Sequence, residues 1–224
     1  MEPTYLRLAE IGLNVAGRYG FALAGGYAVQ IHGILIRPSE DIDLFTAWDR
    51  RDEFAAAVGA VVEAFTAHGY TVAVTQQFET FAQLAVTDPE RANLPYKVEL
   101  AANWRAQPPV VMDIGPVLHP DDVVAGKMSA LFTRAEPRDF LDVDAAVTSG
   151  RYSRERLCEL AEEADAGFDR RILADLFAVL DRYPNRRFAS YGVSDEHMAA
   201  LRARFAEWRQ QLLQSPDPDD EASS

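Results

Sequence analysis

Cysteine is nearly absent from this chain, and lysine is scarce. The one thiol, Cys158, has no partner for an internal disulfide, and four scattered histidines beside it give no zinc-ligand spacing. It reads as a small buried apolar side chain. Only two of the 22 basic residues are lysines, Lys97 and Lys127, so arginine serves the general cationic needs and each lysine stands out as a compact point charge. No run approaches the roughly 20 apolar residues of a membrane span, and the N-terminus lacks the basic-then-apolar order of a secretory leader. The expectation is a cytoplasmic protein with no membrane contact. Positive charge is in deficit too: 22 basic against 35 acidic residues leave a net charge of −13. That balance argues against broad, salt-driven binding to nucleic acid backbones, while leaving room for a local basic groove. There is no internal repeat.

What is present is enough apolar material for a core: 224 residues, 48% of them hydrophobic. Residues 4–18 space their apolar positions as a helix, and Gly20 stops it. Residues 21–24 read as a buried strand running into Gly25-Gly26, followed by a two-turn helix over 27–35 that Pro38 closes off. Residues 41–47 alternate polar and apolar as a strand does, and 50–68 is an amphipathic helix ended by Gly69. Strands are expected at 70–76, 80–87 and 96–101. Pro108-Pro109 and Gly115-Pro116 break the chain before a further short extended pair. From Pro120 onward the reading is helical, with helices at 121–133, 138–148, 153–164, 169–182 and 195–213. The expectation is an α/β (α+β) catalytic core over 1–118, a helical region over 119–214, and a polar, acidic, disordered tail over 215–224. Basic residues concentrate in the helical half.

The segment Ser39-Glu40-Asp41-Ile42-Asp43-Leu44-Phe45 carries the strongest chemical pattern. Strand residues two apart point the same way, so Asp41 and Asp43 share a face. Two such carboxylates repel unless a cation sits between them, and hard oxygen ligands suit Mg²⁺ or Mn²⁺. The same pair can also be two solvated acids at a strand start. Upstream, Leu23-Ala24-Gly25-Gly26 leads a strand into a glycine pair and a helix start, where backbone N–H groups can approach a phosphate. It lacks the third glycine and ribose-binding acid of a dinucleotide fold, and on its own it is plain turn geometry. Arg37 and Ser39 lie between the glycines and the aspartates. In Tyr96-Lys97-Val98-Glu99-Leu100, alternation puts Lys97 and Glu99 on one face. Glu99 can complete a metal site or accept a proton, or the two can form a cross-strand ion pair on a wet face. Lys127 and Arg134, seven residues apart on one helix face, can both reach phosphate oxygens. Arg138-Asp139 and Asp142 open the next helix, and the alternative there is a helical hairpin held by surface ion pairs.

In order, Ala24-Gly25-Gly26, Arg37-Pro38-Ser39-Glu40-Asp41-Ile42-Asp43, Lys97-Val98-Glu99 and Lys127…Arg134…Arg138-Asp139-Phe140…Asp142 resemble the motifs of AbiEii/AbiGii-type nucleotidyltransferase toxins, a branch of the polymerase-β-like superfamily. The resemblance implies a nucleotidyltransferase-fold mixed sheet with flanking helices, followed by a C-terminal helical bundle. It implies that Asp41 and Asp43 bind the metal and Glu99 is the third acid and general base. It gives Lys127 to the triphosphate, and Asp139 to orienting that lysine or Arg134. Gly25, Gly26, Arg37, Ser39, Lys127 and Arg134 would line the nucleotide site. Gly26 departs from the serine of many relatives, which removes a hydroxyl contact. Ser39 matches a serine whose modification would block the site. The implied reaction transfers NMP from an NTP to the tRNA 3′ end with release of pyrophosphate, opposed by an antitoxin encoded elsewhere. Arg151, Arg154, Arg156, Arg170, Arg171, Arg186 and Arg187 are candidates for an acceptor groove or for an ordinary solvated helix surface. Two rival readings share the fold: transfer to a small cationic acceptor such as an aminoglycoside, and a non-catalytic nucleotide- or partner-binding protein.

Overall fold

The first helix, α1 (Pro3–Ala16), buries Leu8, Ala9, Ile11, Gly12, Leu13 and Ala16, a stripe with the three-to-four-residue repeat of one helix face. A 3-10 turn over Gly17–Tyr19 follows, and Gly20 at φ +77 ends it, a conformation that costs glycine little. The computed structural model describes residues 2–35, 37–90 and 94–214. The expected acidic tail at 215–224 lies outside them.

After strand β1 (Ala22–Leu23), helix α2 (Gly25–Ile31) leads into β2 (Asp41–Ala47). A 3-10 turn over Trp48–Glu53 precedes α3 (Phe54–Ala67). Strands β3 (Thr71–Gln77), β4 (Phe81–Thr87), β5 (Tyr96–Asn103), β6 (Val110–Met112) and β7 (Gly115–Val117) complete one sheet in the order β3-β4-β5-β2-β1-β7-β6. It is mixed: β2 runs parallel to β5 and β1 to β7, while the other pairings are antiparallel.

Period-two alternation sorts this sheet into two faces. Ile42 and Leu44 on β2, Ala82, Leu84 and Val86 on β4, and Val98 and Leu100 on β5 are all fully buried. Helices α1 and α3 cover that face. The approach is close, because a Cβ added to Gly12 of α1 would stand 2.9 Å from Leu44. The intervening residues Asp41, Asp43, Gln83, Lys97 and Glu99 therefore occupy the other face, and the core is what holds them there. At roughly 1.5–3 kcal/mol for each fully buried aliphatic or aromatic side chain, a one-residue register slip is prohibitive.

The chain divides into two compact units, Met1–Val123 and Val124–Ser224. Helix α4 (Pro120–Thr133) bridges the division in sequence; α5 (Pro137–Thr148), α6 (Arg154–Ala164), α7 (Arg170–Phe177), α8 (Arg186–Ala189) and α9 (Asp195–Gln214) follow. Ser153 caps α6 and Asp169 caps α7 through backbone N–H groups, and a Glu136/Asp139 capping box opens α5. The core of the second unit is aromatic: Phe205 meets Phe140 and Phe177 edge-on, and Trp208 packs against Phe177. Cys158 is buried there, and burial pushes its thiol pKa up to about 12. No described helix is long and apolar enough to cross a membrane.

The element readings hold with specific exceptions. The 50–68 helix starts as a 3-10 turn, and the 169–182 helix ends at Phe177 with a separate 3-10 turn over Leu180–Arg182. The two-turn helix after the glycines begins at Gly25 and stops at Ile31, well before Pro38. Gly115-Pro116, read as a break, begins strand β7, and the short helix α8 has no counterpart in the sequence reading.

Candidate active site

The parallel pairing of β2 with β5 sets Asp41 opposite Lys97 and Asp43 opposite Glu99. Three carboxylates from two strands thus meet on one sheet face. Ligand oxygens of Asp41, Asp43 and Glu99 all lie within 4.8 Å of one another, the one acidic cluster of this kind among the described residues. Lys97 Nζ sits 2.8 Å from Glu99 Oε1 and 3.3 Å from Asp41 Oδ2. Burial works to lower the Lys97 pKa, but the hydrogen bonds and negative charge of Glu99 and Asp41 outweigh it and hold the ammonium above the ordinary lysine value. Gln83, opposite Glu99 on β4, donates Nε2 to Glu99 Oε1 at 3.1 Å, and Thr75 on β3 donates to the Gln83 side chain at 3.1 Å. A relay of two neutral groups therefore fixes the orientation of Glu99. Sequence reasoning missed Gln83, because the pairing register that brings it to Glu99 is not written in any local pattern.

The glycine pair closes on the same carboxylates. Gly25 stands at φ +59, and a Cβ there would fall 1.7 Å from Asp43 Oδ2, so any side chain at position 25 collides with the aspartate. Ala24 N–H donates to the Asp43 carbonyl at 2.8 Å, locking the strand end to β2. At Gly26 an added Cβ would meet Ser39 Oγ at 2.5 Å and Arg37 Nη2 at 3.6 Å. The hydroxyl that position 26 lacks is thus matched in place by that of Ser39, which donates to Asp41 Oδ1 at 3.1 Å.

The loop before β2 is pinned by several aromatic and amide groups. Tyr27 Oη donates to the Ser39 carbonyl at 2.9 Å and Gln30 Nε2 to the Arg37 carbonyl at 2.7 Å. Tyr5 packs on both Tyr27 and Tyr96. Burial raises the phenol pKa of Tyr27 and of Tyr5, so both remain proton donors at neutral pH. The buried Arg37 donates Nη1 to the Pro38 carbonyl at 2.9 Å. Neither tyrosine nor Gln30 carries a local signal in the sequence; each looks there like an ordinary helix residue of α1 or α2.

In the second unit, Lys127 on α4 pairs with Asp142 on α5 at 2.9 Å, and the Asp142 side chain is fully buried. Arg134 grips the fully buried Asp139 with two prongs, at 2.9 Å and 2.7 Å. Asp139 Oδ2 also accepts the Glu136 N–H at 3.0 Å. Of the two partners offered to Asp139 by the family motif, the geometry selects Arg134; Asp142 holds the lysine. Ala135, at φ +49, makes the turn between the two helices. Among the arginines considered for an acceptor groove, Arg154, Arg156 and Arg170 are engaged by Glu207, by Glu159 and Glu163, and by Glu155 and Glu162.

The model of the nucleotidyl transferase AbiEii toxin family, type IV toxin–antitoxin system, matches residues 8–222. The chain belongs to that family. Its fold is that of nucleotidyltransferases of known structure. An H. pylori protein described as a nucleotidyltransferase superposes with a TM-score of 0.61 at 16% identity, over 96% of this chain and 97% of that one. MenT4, a nucleotidyltransferase toxin of Mycobacterium tuberculosis, superposes with a TM-score of 0.55 at 19% identity, over 98% and 86%. The antibiotic-resistance factor ANT(2'')-Ia follows with 0.51 at 16% identity, over 81% and 97%. No curated protein matches the sequence. At these identities the likenesses speak to fold. The AbiEii chain also passes a chemical test for a divalent cation: its cluster offers oxygen donors only, with neither imidazole nor thiolate, and a cationic ammonium already rests against two of the three acids.

Proposed function

We propose that this AbiEii-family chain is a metal-dependent nucleotidyltransferase toxin that transfers NMP from an NTP to the 3′ end of tRNA in the cytoplasm, and that a cognate antitoxin opposes it. The observation that supports the reading most is the convergence of Asp41, Asp43 and Glu99 beside a glycine pair whose first member, Gly25, has no room for a side chain. In this reading Asp41 and Asp43, with Glu99, hold Mg²⁺ or Mn²⁺. A cation so held would neutralise charge on the triphosphate and on the leaving pyrophosphate. Gly25 and Gly26 let the backbone approach the phosphates, with Arg37 and the Ser39 hydroxyl at the same edge. Glu99, oriented by Gln83, accepts the proton of the acceptor hydroxyl as its oxygen attacks the α-phosphorus; the bond to the bridging oxygen breaks and pyrophosphate leaves. Lys127, oriented by Asp142, is the proposed phosphate cation of the second unit, and Asp139 positions Arg134 for the same purpose.

The test is incubation of the purified protein with total tRNA, Mg²⁺ and each α-labelled NTP in turn, beside Asp43→Ala. Label on tRNA with the wild type alone is the expected result. Pyrophosphate release triggered by a cationic aminoglycoside, with no label in RNA, would move the acceptor to the small-molecule class, which the net charge of −13 also suits. Absence of metal-dependent pyrophosphate release with every acceptor would sink the catalytic reading.

A further inference from the structure

Lys97 has no part in the transfer just described, yet it touches two of its three acids. Both oxygens of Asp41 are engaged: Oδ1 accepts from Ser39 and Oδ2 from Lys97. Glu99 Oε1 accepts from both Lys97 and Gln83. An ammonium so placed occupies the ground where the ligand oxygens of a cation would converge. The Ser39 and Gln83 contacts are neutral and can persist beside a metal ion. The Lys97 contact cannot persist on the same oxygens, because two cations would then share them. Its side chain is 41% exposed on a flexible four-carbon stem, so the ammonium can swing to solvent without disturbing the core.

We infer that Lys97 is a resident counter-ion of the acidic cluster, which makes loading of the divalent cation depend on the nucleotide. This rests on the metal-site reading above. Bare metal must evict Lys97 from Asp41 and Glu99 and leave it facing like charge. Metal arriving with a triphosphate brings several negative charges, against which the displaced ammonium can settle. The two ligands are therefore positively coupled through one side chain, and by linkage each strengthens the other by the same factor. Arginine, the ordinary cation of this chain, would serve poorly, because its planar fork grips a carboxylate through two bonds and lets go less readily. That accounts for one of only two lysines standing at this position.

The experiment is a Mn²⁺ titration of the full chain, following free Mn²⁺ by electron paramagnetic resonance, with and without the α,β-methylene analogues of the four NTPs. Wild type, Lys97→Met, Lys97→Gln and Asp43→Asn are compared, each with its thermal melt recorded. Without nucleotide, Lys97→Met and Lys97→Gln are expected to bind Mn²⁺ about tenfold more tightly than wild type, and the nucleotide's enhancement of binding is expected to shrink by the same factor. If both folded variants bind Mn²⁺ no more tightly than wild type, or if nucleotide enhancement is undiminished, the counter-ion role is overturned while the metal site stands. If Asp43→Asn leaves Mn²⁺ binding at the wild-type level, the metal site itself is wrong, and the proposed function falls with it.

Discussion

Two acidic groupings in this molecule look alike in sequence and differ in physics. Asp41, Asp43 and Glu99 project from adjacent strands and gather within 4.8 Å, and the partly exposed Lys97 pairs with two of them, Asp41 and Glu99. Asp139, Asp142 and Asp144 lie along α5, are buried, and are each matched by a cation of their own: Arg134, Lys127 and Arg204. The first grouping concentrates negative charge in one place, where only a further cation relieves it. The second distributes charge into separate pairs, and each pair ties one element to the next. Carboxylates thus gather into a candidate ligand cluster in one unit and form a set of cross-braces in the other, and partner count and exposure separate the two.

The sharpest way to break this contrast is Asp43→Asn, which keeps the shape and removes a charge. Transfer should fall about a thousandfold or more, while the thermal melt barely moves or rises. A large drop in melting temperature would mean that the strand cluster is itself a brace. The converse test is Lys127→Met, which leaves the fully buried Asp142 without its cation and should cost about 3–5 kcal/mol in denaturant unfolding. If that variant loses transfer at undiminished stability, α5 is no brace there. Gly26→Ser probes the crowding around Ser39: one added side chain must push the Ser39 hydroxyl off Asp41, and transfer should drop about tenfold. The double variant Gly26→Ser/Ser39→Gly, which clears the collision, should recover most of it in the same assay. The smallest effect is expected at Cys158. Folding raises its pKa from 9.0 to about 12, so its contribution to stability is whole below the unfolded thiol value and is lost as pH climbs through that window. Chemical denaturation at about pH 8 and about pH 10 should show a smaller alkaline loss in Cys158→Ala than in wild type.

Local pattern sufficed wherever one periodicity acted alone. Strand β2 reads at 41–47 with its observed ends, because alternation runs from Asp41 to Leu44, Phe45 to Ala47 continue without a helix or turn signal, and the turn before it is marked by Pro38. The pairing of Asp41 with Asp43 on one face followed from the same period. The third acid was named from alternation within β5, but its place opposite Asp43 comes from a parallel pairing whose partners lie about 56 residues apart, and no local signal encodes that. Gln83 and Thr75 were invisible for the same reason. The part of the 3-10 turn Trp48–Glu53 from residue 50 onward reads as the start of the 50–68 helix, because its polar residues carry no periodicity against helix. In α5 the sequence offered acids and bases at helical spacing; which acid meets which base depended on the turn at Ala135.

Position 25 deserves to be read as a filter on sequences rather than as part of a machine. A side chain there would occupy the space of the Asp43 carboxylate, and the backbone at φ +59 disfavours one independently. In a random library of this gene, or among kindred sequences, a residue other than glycine at that position would mark a chain whose aspartate has moved. On the proposed function, a substitution of this one codon should disable transfer by displacing Asp43, while every acid and lysine of the site stays unsubstituted.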